Sequence, residues 1–300
     1  MTIADLYTDF MTHYVDLRLK ETTAAGYRTN FERHILPSIA DLKLELLDLS
    51  VLDALVDDLK AKDLSRRSIV YVLATLSKSY SYATKRGYVS HNPLKDYDFP
   101  RVPKLEYRLL DHEQLDRLLA IADGTDELPA LLLAAHYGLR RGECLGVKVE
   151  DLRGDLLHLR RTVTYIKGER VVSSPKSGSW RTIKLMKDDV ALFRSYDRAR
   201  VKNADGYLVR DDDGKELTTG MLDKRFVRLL DAADLPRCRF HDLRHSYATI
   251  MLAHGVNPKI VSTVLGHSSV DITLDLYSHC TPDLQQACLN VFERYAALGS

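Results

Sequence analysis

The sequence predicts a mostly α-helical protein with a small three-stranded antiparallel sheet, arranged as a helical domain followed by a mixed α/β domain. Three observations carry that prediction. Apolar residues recur at helical spacing through most of the chain, and a period-two pattern appears only between Leu156 and Leu185. A stretch with Pro93, Pro100 and Pro103 and no helical period separates the two patterns. At 300 residues the chain is long enough for two domains, each with its own core. The boundaries read as a helical head over residues 1–91, a linker over 92–106 and a larger domain over 107–300.

In the head, Ile3, Leu6, Phe10 and Tyr14 mark a first helix. Thr22 or Thr23 caps a second, through Tyr27, Phe31 and Ile35, which Pro37 should end. Asp48 or Ser50 opens a third, with Val51, Leu55, Val56 and Leu59 on one face. Ser65 caps a fourth that runs through Ile69, Val72, Leu73, Leu76, Tyr80 and Ala83 and stops near Gly87. In the second part, Asp111 and Gln114 have capping-box spacing ahead of helices around Leu115–Ile121 and Leu128–Tyr137. Gly138 and Gly142 suggest a turn, with Arg140 at the start of a short helix. Residues 157–166 read as one strand, 170–173 as its return and 180–185 as a third strand, with Lys176 on the intervening turn. Helices then follow over 217–230 and 244–253. Another starts at Asn257-Pro258 and ends near Gly266. A last one, from about Asp283, carries Leu284, Cys288, Val291, Phe292 and Tyr295 on one stripe.

Composition excludes several classes. With 45% hydrophobic and 28% charged residues the chain is of ordinary globular type, and no apolar run is long enough for a membrane span. The start lacks the form of a signal peptide. Four scattered cysteines contain no CxxC pair, which argues against a zinc site and for reduced thiols in a cytoplasm. A net charge of +1 says nothing for or against nucleic acid, so local charge decides. Between Lys60 and Arg86 the chain carries Lys60, Lys62, Arg66, Arg67, Lys78, Lys85 and Arg86 against Asp63 alone, with Tyr71, Tyr80 and Tyr82 interleaved. These seven basic residues are the candidate contacts to a nucleic-acid backbone.

The chemistry-bearing residues are Arg140, Lys176, His241, Arg244, His267 and Tyr277. They include no carboxylate cluster with metal-ligand spacing. His241 and His245 stand four apart, but Asp242 occupies the place a metalloprotease motif gives to Glu, so no metal is expected. A cationic pocket suits a phosphoryl transition state, because fixed donors aimed at its non-bridging oxygens stabilise it more than the ground state. Tyr277 could form the phosphate ester, since a phenol of pKa about 10 is a moderate leaving group and the step can reverse. A lysine on a mobile hairpin could protonate the leaving alcohol.

These residues resemble, in order, the tyrosine recombinases, the integrases of phages and integrative elements. Gly138-Leu139-Arg140-Arg141-Gly142-Glu143, Lys176, His241-Asp242-Leu243-Arg244, Leu265-Gly266-His267 and Tyr277 match the family pattern, and the likeness covers about residues 1–298. Lys184 is the alternative to Lys176. The resemblance implies a two-domain tyrosine recombinase architecture, with a core-binding SAM-like head and a catalytic domain. It implies that Arg140, Arg244 and His267 hold the scissile phosphate, His241 helps accept the tyrosine proton, Lys176 protonates the 5′-oxygen and Tyr277 becomes a 3′-phosphotyrosine. Glu143 and His245 look like structural neighbours of the site, with Glu143 orienting an arginine, and Asp151 looks like a cap. Neither ATP, metal nor other cofactor is implied. The implied partners are double-stranded DNA recombination sites and three further copies of the chain on synapsed DNA, with a monomer or weak oligomer off DNA. An accessory DNA-bending or excision factor is compatible, a membrane is not, and the implied place is the bacterial cytoplasm, at the nucleoid. The first helix starts almost at Met1, so the family's small arm-binding domain is either absent by nature or removed. The last helix is a candidate to dock on a neighbouring subunit. The rival readings are a resolvase of the chromosome-dimer type, a type IB topoisomerase-like enzyme and a catalytically idle DNA-binding protein on the same fold.

Overall fold

The structure, a computed structural model, describes residues 1–103, 107–166, 168–174, 180–199, 205–211, 213–266, 269–271, 273 and 274. It divides into two compact units, Met1–Leu105 and Glu106–Ser300.

The head is mainly helical. Its first rod is α1 (Ile3–Phe10), a π-turn at Met11–Val15 and α2 (Asp16–Arg18). The second rod is α3 (Glu21–Asn30), a π-turn at Phe31–Ile35 and α4 (Leu36–Ile39). Two sequence expectations fail here. The cap of α3 is Lys20, because Leu19 and Lys20 are already extended, and both threonines fall inside the first turn. Pro37 does not end the rod. It follows a π-turn, where the regular hydrogen-bond ladder is already interrupted and a missing N–H costs less. Asp48 caps α5 (Leu49–Ala61) by accepting from the Val51 N–H, while Ser50 donates to Asp48. Ser65 caps α6 (Arg66–Arg86), and Gly87, at φ 75°, closes it in the left-handed region. Phe10, Phe31, Leu52, Leu59, Leu73, Leu76 and Tyr80 are wholly buried in the core these helices share. Each such side chain contributes about 1.5–3 kcal/mol relative to exposure.

The proline-containing stretch packs on this unit at its start. Asn92 is buried and donates to the Ser77 carbonyl at 2.9 Å and to the Ser81 hydroxyl at 3.0 Å. Leu94 is buried in the head's core, and Tyr97 and Phe99 pack against it.

The second unit opens with α7 (His112–Ile121), capped by the Asp111–Gln114 box, and α8 (Leu128–Ala135), which is buried along its whole length. The short α9 (Arg141–Cys144) follows. Five strands come next: β1 (Leu152–Arg153), β2 (Leu156–Leu159), β3 (Thr162–Ile166), β4 (Glu169–Ser173) and β5 (Arg181–Lys184). They form a three-stranded antiparallel sheet β1-β2-β5 and a separate hairpin β3-β4. The single strand expected over 157–166 is therefore broken at Arg160-Arg161. Arg161 bonds Asp151 at 2.8 Å and Glu150 at 3.2 Å, and its carbonyl lies close against Gly146, so the chain leaves one sheet for the other. The third strand pairs with β2, Leu157 opposite Ile183, and not with β4.

Four helices complete the described residues: α10 (Lys187–Ala199), α11 (Thr219–Ala232), α12 (Phe240–Ala253) and α13 (Pro258–Leu265), which ends at Gly266 with φ 66°. Leu131, Leu133, Leu157, Phe193, Phe226 and Leu243 lie in this unit's core. Trp180, just before β5, is 71% exposed. Among the described residues no helix is long and apolar enough to cross a membrane.

Candidate active site

Three arginines from three distant stretches meet at the C-terminal end of α13. Arg140 caps α9 after the Gly138 turn. Gly138 has φ 65°, and a Cβ there would meet Leu265 and the Tyr247 ring, so both backbone and space require glycine. Arg140 donates from Nη2 to the Gly266 carbonyl at 2.8 Å and from Nη1 to that of Leu265 at 3.4 Å. Arg244, one turn into α12, donates from Nη2 to the same Leu265 carbonyl at 2.8 Å and from Nη1 to the Gly138 carbonyl at 2.6 Å. Arg181, the first residue of β5, donates from Nε to the Val264 carbonyl at 2.9 Å. The final carbonyls of a helix carry partial negative charge, which suits the guanidiniums.

Glu143 balances part of this charge. Its carboxylate is 1% exposed and accepts from Arg140 Nη1 (3.0 Å), the Arg140 N–H (2.9 Å), Arg181 Nη1 (3.0 Å) and Arg181 Nη2 (2.8 Å). Burial alone would raise its pKa. The Arg181 hydrogen bonds and charge, with Arg140, outweigh burial and hold the carboxyl below its usual range. One carboxylate among three guanidiniums leaves the pocket cationic. Arg244 feels this: burial first, then the Arg140 charge, pushes its pKa down to about 9, so it stays protonated at neutral pH. Arg140 keeps a quarter of its side chain exposed and Arg244 is 2% exposed, so an arriving anion meets Arg140 first.

His241 lies one turn before Arg244, its ring set edge-on to that of His245 at 4.8 Å between centroids. Partial desolvation, and then the His245, Arg244 and Arg140 charges, outweigh Asp242 and hold its pKa below the usual imidazole range. The ring is therefore neutral at pH 7 and able to accept a proton. His245 packs on Tyr107 at 4.5 Å, and its Nδ1 is buried without a hydrogen-bond partner among the described residues. Asp151 ends a single-turn helix, Val149–Asp151, and its side chain accepts from the Lys148 N–H at 2.8 Å.

Of the six residues expected in the site, Arg140, His241 and Arg244 are thus brought together by α9, α12 and the end of α13. Lys176, His267 and Tyr277, like the expected last helix, lie outside the described residues. Lys184, the alternative lysine, is exposed on β5 and 3.4 Å from Asp155. Arg181 received no role from the sequence. Its partners stand 38 residues before it and 83 after it, beyond any local pattern. Among the described residues no group of three or more His, Cys, Asp or Glu could hold a metal.

The basic run of the head divides in three. Lys60 and Lys62 pair with Asp57 at 2.9 Å and Asp58 at 2.6 Å, acids just upstream of the run. Arg66 and Arg67 are exposed at the start of α6. Lys78, Lys85 and Arg86 instead line a cleft of about 300 Å³ with His13, Tyr14, Arg18, Ser81 and Tyr82. Arg18 and Lys78 each stand 5.7 Å from the Tyr14 ring centre, and Arg86 stands 5.3 Å from that of Tyr82. Arg18 and Tyr14 come from the first rod, which carries too few basic residues to stand out in sequence.

Comparison with known proteins places the chain in a family. The profile described as "Phage integrase family" matches residues 108–283, and that described as "Phage integrase, N-terminal SAM-like domain" matches residues 2–59. The chain is 26% identical to the tyrosine recombinase XerC-like protein of Caldanaerobacter subterraneus over 94% of this chain and 80% of that one. It is 23% identical to the ICEBs1 integrase of Bacillus subtilis over 74% of this chain and 64% of the relative. In fold it is similar to the Tn1549 transposon integrase, solved with transposon right end DNA, with a TM-score of 0.81 at 22% identity over 97% and 99% of the two chains. A lambda integrase tetramer bound to a Holliday junction has a TM-score of 0.71 at 17% identity over 92% and 77%.

Proposed function

Since this chain belongs to the phage integrase family, the tyrosine-type site-specific DNA recombinases, we propose that it integrates or excises a mobile element by strand exchange through Tyr277. The observation that carries the reading is the meeting of Arg140 and Arg244 on the Leu265 and Gly266 carbonyls at the end of α13, with the neutral His241 one turn before Arg244. The Tyr277 phenol attacks the scissile phosphorus and His241 accepts its proton. Arg140, Arg244 and His267 stabilise the charge on the non-bridging oxygens. Lys176 protonates the departing 5′-oxygen, leaving a 3′-phosphotyrosine. The 5′-hydroxyl of a partner strand then attacks and the phenol leaves, so one phosphodiester replaces another. The balance needs neither metal nor ATP.

The partners in this reading are duplex recombination sites and three further copies of the chain. The last helix is the candidate for docking between copies, and an accessory DNA-bending factor fits the same scheme. The place is the bacterial cytoplasm, at the nucleoid. The basic cleft of the head is the proposed grip on the DNA backbone. A second reading, a chromosome-dimer resolvase, is favoured by the likeness to XerC-type relatives over 94% of the chain.

A nicked suicide duplex built from DNA flanking the gene tests the proposal. The wild type is expected to form a covalent 3′ adduct, and Tyr277→Phe to reduce it to background. No adduct with the wild type on any flanking sequence would overturn the enzyme reading. Exchange between two duplexes, rather than relaxation of a supercoil, separates a recombinase from a topoisomerase.

A further inference from the structure

We propose that Arg181 is a positioning residue for strand cleavage: it clamps Glu143 and the end of α13, and so fixes where Arg140 stands. The proposal rests on the recombinase reading and adds a residue which that reading does not use.

Arg181 spends its fork inward. Nη1 and Nη2 each meet one oxygen of Glu143, at 3.0 and 2.8 Å, and Nε meets the Val264 carbonyl at 2.9 Å. The side chain is 10% exposed and its carboxylate partner 1%, so Arg181 presents little to an incoming phosphate. Its effect must pass through its partners. Glu143 takes its remaining two hydrogen bonds from Arg140, one from the guanidinium and one from the backbone. Val264 precedes the Leu265 and Gly266 carbonyls that receive Arg140 and Arg244. Gly266 lies so near that a Cβ there would stand 3.0 Å from Arg181 Nη1. Arg181 thus joins β5 to both Glu143 and the end of α13, the two supports of Arg140. Lysine cannot replace it, since one ammonium cannot span a two-oxygen fork and a carbonyl at once.

The test uses the full chain and single-turnover cleavage of the nicked suicide duplex. One substrate carries the ordinary scissile phosphodiester, the other a methylphosphonate there. The methylphosphonate lacks a charged non-bridging oxygen, so its cleavage depends less on placed guanidiniums. Arg181→Lys is expected to cut phosphodiester cleavage about 100-fold, as small misplacements of catalytic groups do. Duplex affinity should stay within about twofold of the wild type, because the phosphate contacts elsewhere that dominate binding are untouched. On the methylphosphonate the deficit should shrink at least tenfold, and Arg140→Ala should show the same narrowing. Glu143→Gln, which keeps the shape of the shared side chain, is a second probe with the same expected pattern, should Arg181→Lys melt early. Cleavage near the wild-type rate, or an equal deficit on both substrates, would overturn the positioning role. Failure of the wild type to form a Tyr277 adduct on either substrate would instead bring down the recombinase reading itself.

Discussion

His245 shows how much of the site's electrostatics is decided by single side chains. Its Nδ1 is buried with no partner among the described residues, and Tyr107 and His241 cover its faces. Burial pushes its pKa from 6.5 down to about 4; Asp242 opposes this, while Arg239 and Arg244 add to it. The sign follows directly. Above the unfolded pKa of 6.5 both states are neutral and nothing changes. Between 6.5 and about 4 the unfolded chain binds a proton that the folded ring refuses, so stability falls as pH falls. Urea melts at pH 7 and pH 5 should show this drop, and His245→Phe should reduce it without abolishing it, because His241 titrates in the same direction. An unchanged pH dependence in the variant would contradict the account. At this scale Arg140, His241 and Arg244 were legible because their residue types and order are unusual. Arg181 was not, since an arginine opening a strand looks the same whether it faces water or a buried carboxylate.

Among the elements, helices and their caps were readable and strand partners were not. Asp48, Ser65 and Asp111 act as caps because a short polar side chain ahead of an apolar period satisfies the first N–H groups. Alternation, in contrast, marks a strand without naming its neighbour, so the pairing of β5 with β2 had to await the fold. The π-turns at Met11–Val15 and Phe31–Ile35 have no local signature, which is why Pro37 looks like a helix end in sequence. The turn between α8 and α9 yields a prediction. Gly138 has positive φ, and a Cβ would stand 2.7 Å from the Tyr247 ring and against Leu265. Gly138→Ala should destabilise the protein by about 1–3 kcal/mol through overpacking and strain. Denaturant melts should record it as a lower midpoint with an unchanged slope. It should also weaken cleavage, because the Gly138 carbonyl receives Arg244.

For the molecule as a whole, a net charge of +1 hides a strongly uneven distribution. Lys60 and Lys62 are matched by Asp57 and Asp58, while Arg18, Lys78, Lys85 and Arg86 crowd one cleft of the head beside two tyrosines. A volume of about 300 Å³ is too small for the width of a duplex and suits one segment of its sugar–phosphate backbone. If this cleft grips DNA, Arg18→Ala with Lys78→Ala should weaken binding to every duplex sequence. The salt slope of the affinity should drop by about 0.9 for each phosphate no longer neutralised, so by roughly two for the pair. Lys60→Ala with Lys62→Ala should move the slope less. Fluorescence anisotropy against salt concentration measures both, and equal slopes for the two pairs would remove the cleft from the interface.

Trp180 is the chain's single tryptophan, 71% exposed and adjacent to Arg181. The tryptophan emission of the protein, excited beyond the tyrosine absorption, therefore reports on one place, the strand start beside the cationic pocket. Its indole is an optical label that evolution has already attached, and changes of solvent or contact at that strand are visible without a dye.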